Sequence, residues 1–229
     1  MATSQVSNAR TWYLSLTAKW CEADGFSDLQ QVLAEYVEYF PLHHVLVPER
    51  SLHSTVFAIL GINDKPSNFD SVNNYATSLF ERLHKNTDLV NNIQKAFRKA
   101  FRRPLKVIAY NLKCFDNGTT VQFEPNKQLE EFRDSVRPHF ESPVKALINN
   151  SLLLESLLCN QNKSCGAKFY GSVARSPSRR DAAVLRWKES LPGTTLTFRR
   201  IHLLVSDDAL TNPLCPGKND IFIDLVDGN

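Results

Sequence analysis

The stretch that most constrains this chain is Ser51-Leu52-His53-Ser54-Thr55-Val56-Phe57-Ala58-Ile59-Leu60-Gly61. Its apolar run, rich in β-branched and aromatic residues and closed by a glycine, reads as a strand. Side chains alternate faces along a strand, so His53 and Thr55 share one surface of a sheet. An imidazole takes or gives a proton near neutral pH, and a hydroxyl donates a hydrogen bond to a phosphate or carbonyl oxygen. The pair suits phosphoester chemistry. Taken alone it fixes nothing, because His-x-Thr recurs by chance and a histidine on a half-apolar strand is more often a packed structural residue.

Elements on either side alternate between strand and helix patterns. Trp12 to Leu16 reads as a first strand, and Asp28 to Phe40 as a helix whose Leu29, Val32, Leu33, Tyr36, Val37 and Phe40 recur at helical spacing before Pro41 stops it. His43 and His44 are adjacent, so their side chains diverge and a surface or packing role fits them better than a metal site. Pro48-Glu49-Arg50 leads into the central strand, and helices follow at about Phe69 to Leu83 and Thr87 to Arg102. Lys95, Arg98, Lys99, Arg102 and Arg103 on and after the second helix read as a solvated face, with phosphate binding as the alternative.

Leu105 to Phe115 and Thr119 to Glu124 read as a hairpin turned by Asp116-Asn117-Gly118. Helices are expected from Lys127 to Val136 and from Val144 to Leu158. Cys165 to Arg175 is a second strand, on which Tyr170 and Ser172 share a face, broken by Ser176-Pro177-Ser178. Asp181 to Leu191 is expected to be a helix ended by Pro192-Gly193, and Leu196 to Ser206 and Ile221 to Val226 the last strands. The pattern is α/β or α+β with two related sheets.

A chain of 229 residues, 42% apolar and 22% charged, can bury a sizeable core, which excludes disordered and membrane classes. A net charge of +3 permits an anionic ligand but does not describe a protein that coats nucleic acid. Five cysteines without a CxxC pair or zinc spacing, and an N-terminal stretch without a basic segment and apolar core, lead us to expect reduced thiols in a cytoplasmic protein with no bound metal.

In this order the motifs resemble the 2H phosphoesterase superfamily, which includes the LigT-like 2'-5' RNA ligases and cyclic nucleotide phosphodiesterases. Trp-Tyr-Leu-Ser-Leu at 12 to 16 looks like its opening strand, and Val-Pro-Glu-Arg-Ser-Leu-His53-Ser-Thr55-Val-Phe-Ala-Ile-Leu-Gly like its first His-x-Thr strand. The hairpin over 105 to 124 with the helix from Lys127 resembles the start of its second lobe. Phe169-Tyr170-Gly171-Ser172-Val173-Ala174-Arg175 lies where its second motif belongs, and Phe198 to Ser206 resembles its penultimate strand. The resemblance spans most of the chain through short motifs.

It implies an α+β fold of two pseudo-symmetric lobes of antiparallel sheet, helices outside and the active cleft between. One bilobal domain over 1–229 is expected, with lobe 1 at about 1–104, lobe 2 at about 105–229, and C-terminal strands free to cross back. It further implies acid/base phosphodiester chemistry on a 2',3'-cyclic phosphate, a cyclic oligonucleotide or an RNA end, by a monomer needing no cofactor.

One residue departs from the family pattern: Tyr170 stands where the second histidine belongs. Carried over, His53, Thr55 and Ser172 match, the histidine as base and the hydroxyls as phosphate holders. A phenol, pKa near 10, is protonated at neutral pH, a poor base but a usable acid. Tyr170 is therefore either the acid or a residue that stacks on a base or holds a phosphate in a site that binds without turnover. Arg175 either clamps a phosphate with its fork of donors or pairs with a carboxylate. His202 lacks a hydroxyl two residues on and reads as structural.

Overall fold

The structure is a computed structural model and describes residues 12–42, 44–62, 67–100, 103–115, 118–134, 167–175, 187–207 and 221–225. The fold is α+β, with two antiparallel sheets. The first has the strand order β3-β1-β8-β9, formed by β1 (Trp12–Lys19), β3 (His53–Ile62), β8 (Arg200–Asp207) and β9 (Ile221–Asp224). The second has the order β2-β6-β5-β4-β7, formed by β2 (Val45–Leu46), β4 (Leu105–Phe115), β5 (Gly118–Phe123), β6 (Phe169–Arg175) and β7 (Lys188–Phe198). The helices are α1 (Phe26–Ala34), α2 (Val72–Lys85) and α3 (Thr87–Ala100), with a further helical segment over 127–134 that Asn126 caps by accepting the Leu129 N–H at 3.1 Å. Among the described residues no helix is long and apolar enough to cross a membrane.

The sheets do not follow the halves of the sequence. β8 and β9 complete the sheet begun by β1, while β2 joins the sheet of the second half. The chain changes sheets at Arg199, the single residue between β7 and β8. That residue is tied on both sides: its carbonyl accepts the Leu225 N–H at 2.7 Å and its Nε donates to Asp24 Oδ2 at 3.1 Å. What reads as one strand from Leu196 to Ser206 is therefore an extended segment shared between two sheets.

Two expected helices differ in the structure. α1 ends at Ala34, because Glu35 and Tyr36 donate to carbonyls three residues back and the chain tightens into a 3₁₀ turn at Val37–Tyr39 well before Pro41. Lys188 to Leu191, expected at the end of a helix, is the start of β7, paired with β4 through Asn111↔Ser190 and Lys113↔Lys188. Pro192-Gly193 is an irregularity inside that strand, tolerated because β7 is a sheet edge and Gly193 adopts φ 80°. Residues 181–186 of that expected helix, the helix over 144–158, Pro66, the break at 176–178 and the turn residues Asp116 and Asn117 lie outside the described residues.

Aromatic rings join the sheets. Trp20 follows β1, is fully buried and meets Phe123 edge-on at 5.6 Å, and the chain of rings continues through Phe169 to Phe198. The Trp20 Nε1–H donates to Ser54 Oγ at 2.9 Å, which satisfies both polar groups inside the core.

Candidate phosphoester site

β3 and β6 come from different sheets and lie against each other. At Gly171 a side chain's first carbon would stand 2.3 Å from the Trp20 ring, 2.5 Å from the His53 carbonyl oxygen and 3.0 Å from Ser54 Oγ. Only glycine lets the strands approach this closely. One Cα step of 3.8 Å then puts the Tyr170 backbone within about 8 Å of that His53 carbonyl oxygen. Ser54 and Gly171 face the shared interior. His53 and Thr55, and Tyr170 and Ser172, lie by alternation on the sides turned away from it, half-buried except for Tyr170, which is 52% exposed.

The two strands carry the same irregularity in the same place. Thr17 pairs with Thr55 but Leu16 with Phe57, so Val56 is an extra residue in β3. Thr120 pairs with Ser172 but Thr119 with Ala174, so Val173 is an extra residue in β6. Each triplet is followed at once by a β-bulge. The second bulge has a direct effect on the site: Arg175, three residues beyond Ser172, pairs with Gly118 and so falls on the face of Thr120, Ser172 and Tyr170. Without it Arg175 would lie on the opposite face.

His53 Nδ1 lies 2.7 Å from the Ser51 carbonyl oxygen. A carbonyl only accepts, so Nδ1 carries the proton and the lone pair of the neutral ring sits on Nε2. On the same face, Lys19 pairs across the ladder with His53, and Thr17 stands between Thr55 and His202 in one row over β3, β1 and β8. Ser15 and Thr17, both buried, share a hydrogen bond at 3.0 Å. His202 is only 3% exposed and donates from Nε2 to Glu22 Oε2 at 2.8 Å, the carboxylate that also lies 3.9 Å from Lys19 Nζ. This imidazole is held two strands away from Thr55. His44 is likewise buried, 3.3 Å from Thr119 Oγ1, while His43 lies outside the described residues. Of the basic run, Lys95, Lys99 and Arg103 are exposed.

One residue that sequence reasoning missed fastens the junction. Arg133, on the helical segment 127–134 and 4% exposed, donates from Nε to the Val56 carbonyl at 2.8 Å, from Nη1 to the Lys168 carbonyl at 2.8 Å and from Nη2 to the Thr55 carbonyl at 3.4 Å. The first acceptor belongs to the bulge of β3, where the ladder is interrupted, and the second precedes β6. A fixed fork of donors suits this bridge better than a flexible ammonium. The only trace in the sequence is an arginine next to Phe132 on the apolar side of a helix.

No family model matches the chain, and no curated protein matches it. Solved structures do. The crystal structure of TT0787 of Thermus thermophilus superposes with a TM-score of 0.50 at 14% identity, covering 94% of this chain and 98% of that one. A crystal structure of a phosphoesterase gives 0.47 at 12% identity, covering 88% and 91%. The likeness to TT0787 runs over nearly the whole of both chains and is a likeness of fold, an α+β arrangement of two antiparallel sheets.

Proposed function

We propose that the protein is a phosphodiesterase of 2H type, acting on a 2',3'-cyclic phosphate, a cyclic oligonucleotide or an RNA-end phosphodiester at the β3/β6 junction. The observation that carries this reading is that β3 and β6, each bulged directly after its triplet, lie against each other where Gly171 meets the His53 carbonyl. For a cyclic phosphate, His53 Nε2 takes a proton from the attacking water as its oxygen bonds to phosphorus. Tyr170 gives its phenolic proton to the ribose oxygen that leaves as the P–O bond breaks, and the proton on His53 returns to the tyrosinate. Thr55, Ser172 and Arg175 donate hydrogen bonds to the phosphoryl oxygens, whose charge grows in the transition state.

The exposure of Tyr170 favours one other reading, a nucleotide- or RNA-binding protein in which the ring stacks on a base and no bond is broken. Incubation with a panel of 2',3'-cyclic nucleotides and short RNAs, with and without EDTA, followed by chromatography, separates the two. Turnover that His53→Ala abolishes in a folded protein is the expected result. Thermal stabilisation by the panel without products would establish the binder, and neither effect would leave a structural or protein-binding role.

A further inference from the structure

The register of the second sheet extends the face of Tyr170 and Ser172 across three more strands. Cross-strand partners share a face, so Tyr170, Gln122, Asn111 and Ser190 form one row over β6, β5, β4 and β7, and Ser172, Thr120, Lys113 and Lys188 form the next. A third row holds Arg175, Gly118 and Phe115, with Lys113 Nζ 4.7 Å from the centroid of the Phe115 ring. These rows contain three cations and no carboxylate. Glu189, the one acidic residue on these strands, pairs with Leu112 and so belongs to the other face.

Neighbouring strands are about 4.8 Å apart, which sets the Lys113 position about 10 Å and the Lys188 position about 14 Å from that of Ser172. A single phosphate held at the junction does not span these distances. The middle of the first row also carries an unanswered donor: Asn111 is 3% exposed, and its Nδ2 has no hydrogen-bond partner among the described residues. A buried amide donor without an acceptor is costly unless something else supplies one.

We propose that this face is a track for the rest of a single-stranded oligonucleotide, with Lys113 and Lys188 neutralising phosphates beyond the one at the β3/β6 junction and Gln122 and Ser190 meeting sugar or base edges. The inference rests on the phosphodiester reading of that junction and narrows its three substrates to a linear single strand that runs on past the reacting phosphate. Spaced cations with amides and hydroxyls between them match a ligand whose charges repeat along a backbone, and the affinity they supply is salt-dependent.

Fluorescence anisotropy with a labelled oligouridylate of about ten nucleotides tests it across a fourfold range of salt, alongside a nucleoside 2',3'-cyclic monophosphate followed by calorimetry and turnover. Lys113→Gln and Lys188→Gln should each flatten the plot of log affinity against log salt by about 0.7, so that wild type loses about 2.6-fold more affinity than either variant over that range. Both variants should handle the mononucleotide as wild type does. Lys188 is exposed, so its variant tests the track even if Lys113→Gln folds poorly. The track is refuted if wild type binds the oligomer no more tightly than the mononucleotide, if the folded Lys188→Gln protein keeps the wild-type slope, or if polyglutamate displaces the oligomer as well as unlabelled RNA does. In those cases mononucleotide turnover would still stand for the junction. A wild type that engages neither probe would remove both.

Discussion

Replacing Arg133 with methionine keeps roughly the length of the side chain and removes a guanidinium whose three nitrogens donate to main-chain carbonyls. Their acceptors, the carbonyls of Val56, Lys168 and Thr55, belong to β3 or to the approach to β6. The two bonds at 2.8 Å carry the effect; the third, at 3.4 Å, is near the outer limit and adds little. Deleting the guanidinium also removes the cost of burying it, so the penalty that remains is that of two stranded carbonyls, about 1 to 3 kcal/mol each. A net loss of about 3 kcal/mol is expected, which for a domain of this size lowers Tm by about 6 to 12 °C. Against a typical stability of about 5 to 15 kcal/mol the variant should still fold. Arg133→Lys can satisfy one carbonyl at a time and should recover roughly half of the loss. Thermal and urea unfolding followed by circular dichroism give the magnitude. Hydrogen exchange read by mass spectrometry gives the place: protection should fall at the start of β3 and around β6 before it falls in β4 or β5. A methionine variant melting within about 1 °C of wild type, or one that loses protection uniformly, would refute the idea that this side chain joins the two strands.

Three further outcomes are expected. Gly171→Ala puts a methyl group into the His53 carbonyl and the Trp20 ring, and should destabilise by about 1 to 3 kcal/mol while perturbing the near-ultraviolet signal of the tryptophan; unchanged melting would show that β3 and β6 are not in close contact. Tyr170→His should raise turnover by up to about 10² to 10⁴ if the site is an impaired enzyme, whereas Tyr170→Phe should lose activity if the phenol is already the acid, and wild-type rate and affinity in both would place Tyr170 outside the chemistry. Burial, and after it the Glu22 carboxylate, pushes the Cys21 thiol above its ordinary 9.0, so alkylation at pH 8 should be slower than for a free thiol and faster in Glu22→Gln; a half-maximal rate below pH 8.5 would contradict this.

The elements legible in the sequence were those whose local pattern and tertiary role agree. The hairpin of β4 and β5 reads directly because two alternating runs flank a short Asn-Gly connection, and Phe115 does pair with Gly118. The His53 strand reads directly because its apolar side faces the core. Asp181 to Leu191 misleads at its end because Val184, Trp187 and Leu191 stand at helical spacing, while pairing of Lys188 to Leu191 with β4 decides the outcome through partners remote in sequence. The bulges leave a faint sign, two consecutive buried residues after each triplet, Val56-Phe57 and Val173-Ala174, where strict alternation would bury one. Arg133 leaves almost none, since its acceptors are main-chain carbonyls, which no side-chain pattern reveals.

The one-residue passage from β7 to β8 bears on how the molecule is made. β1 lies between β3 and β8, so the first sheet is a two-stranded ribbon until the residues of β8 have left the ribosome. During that interval the free edge of β1 exposes unpaired backbone groups, a template for pairing with another nascent chain. The second sheet gains β7 immediately before β8 is released, so its completion delivers the missing strand to the first with no search over a long loop. Such long-range pairing folds slowly, and chains cut short before Arg200 should collect in aggregates even though most of their strands are present.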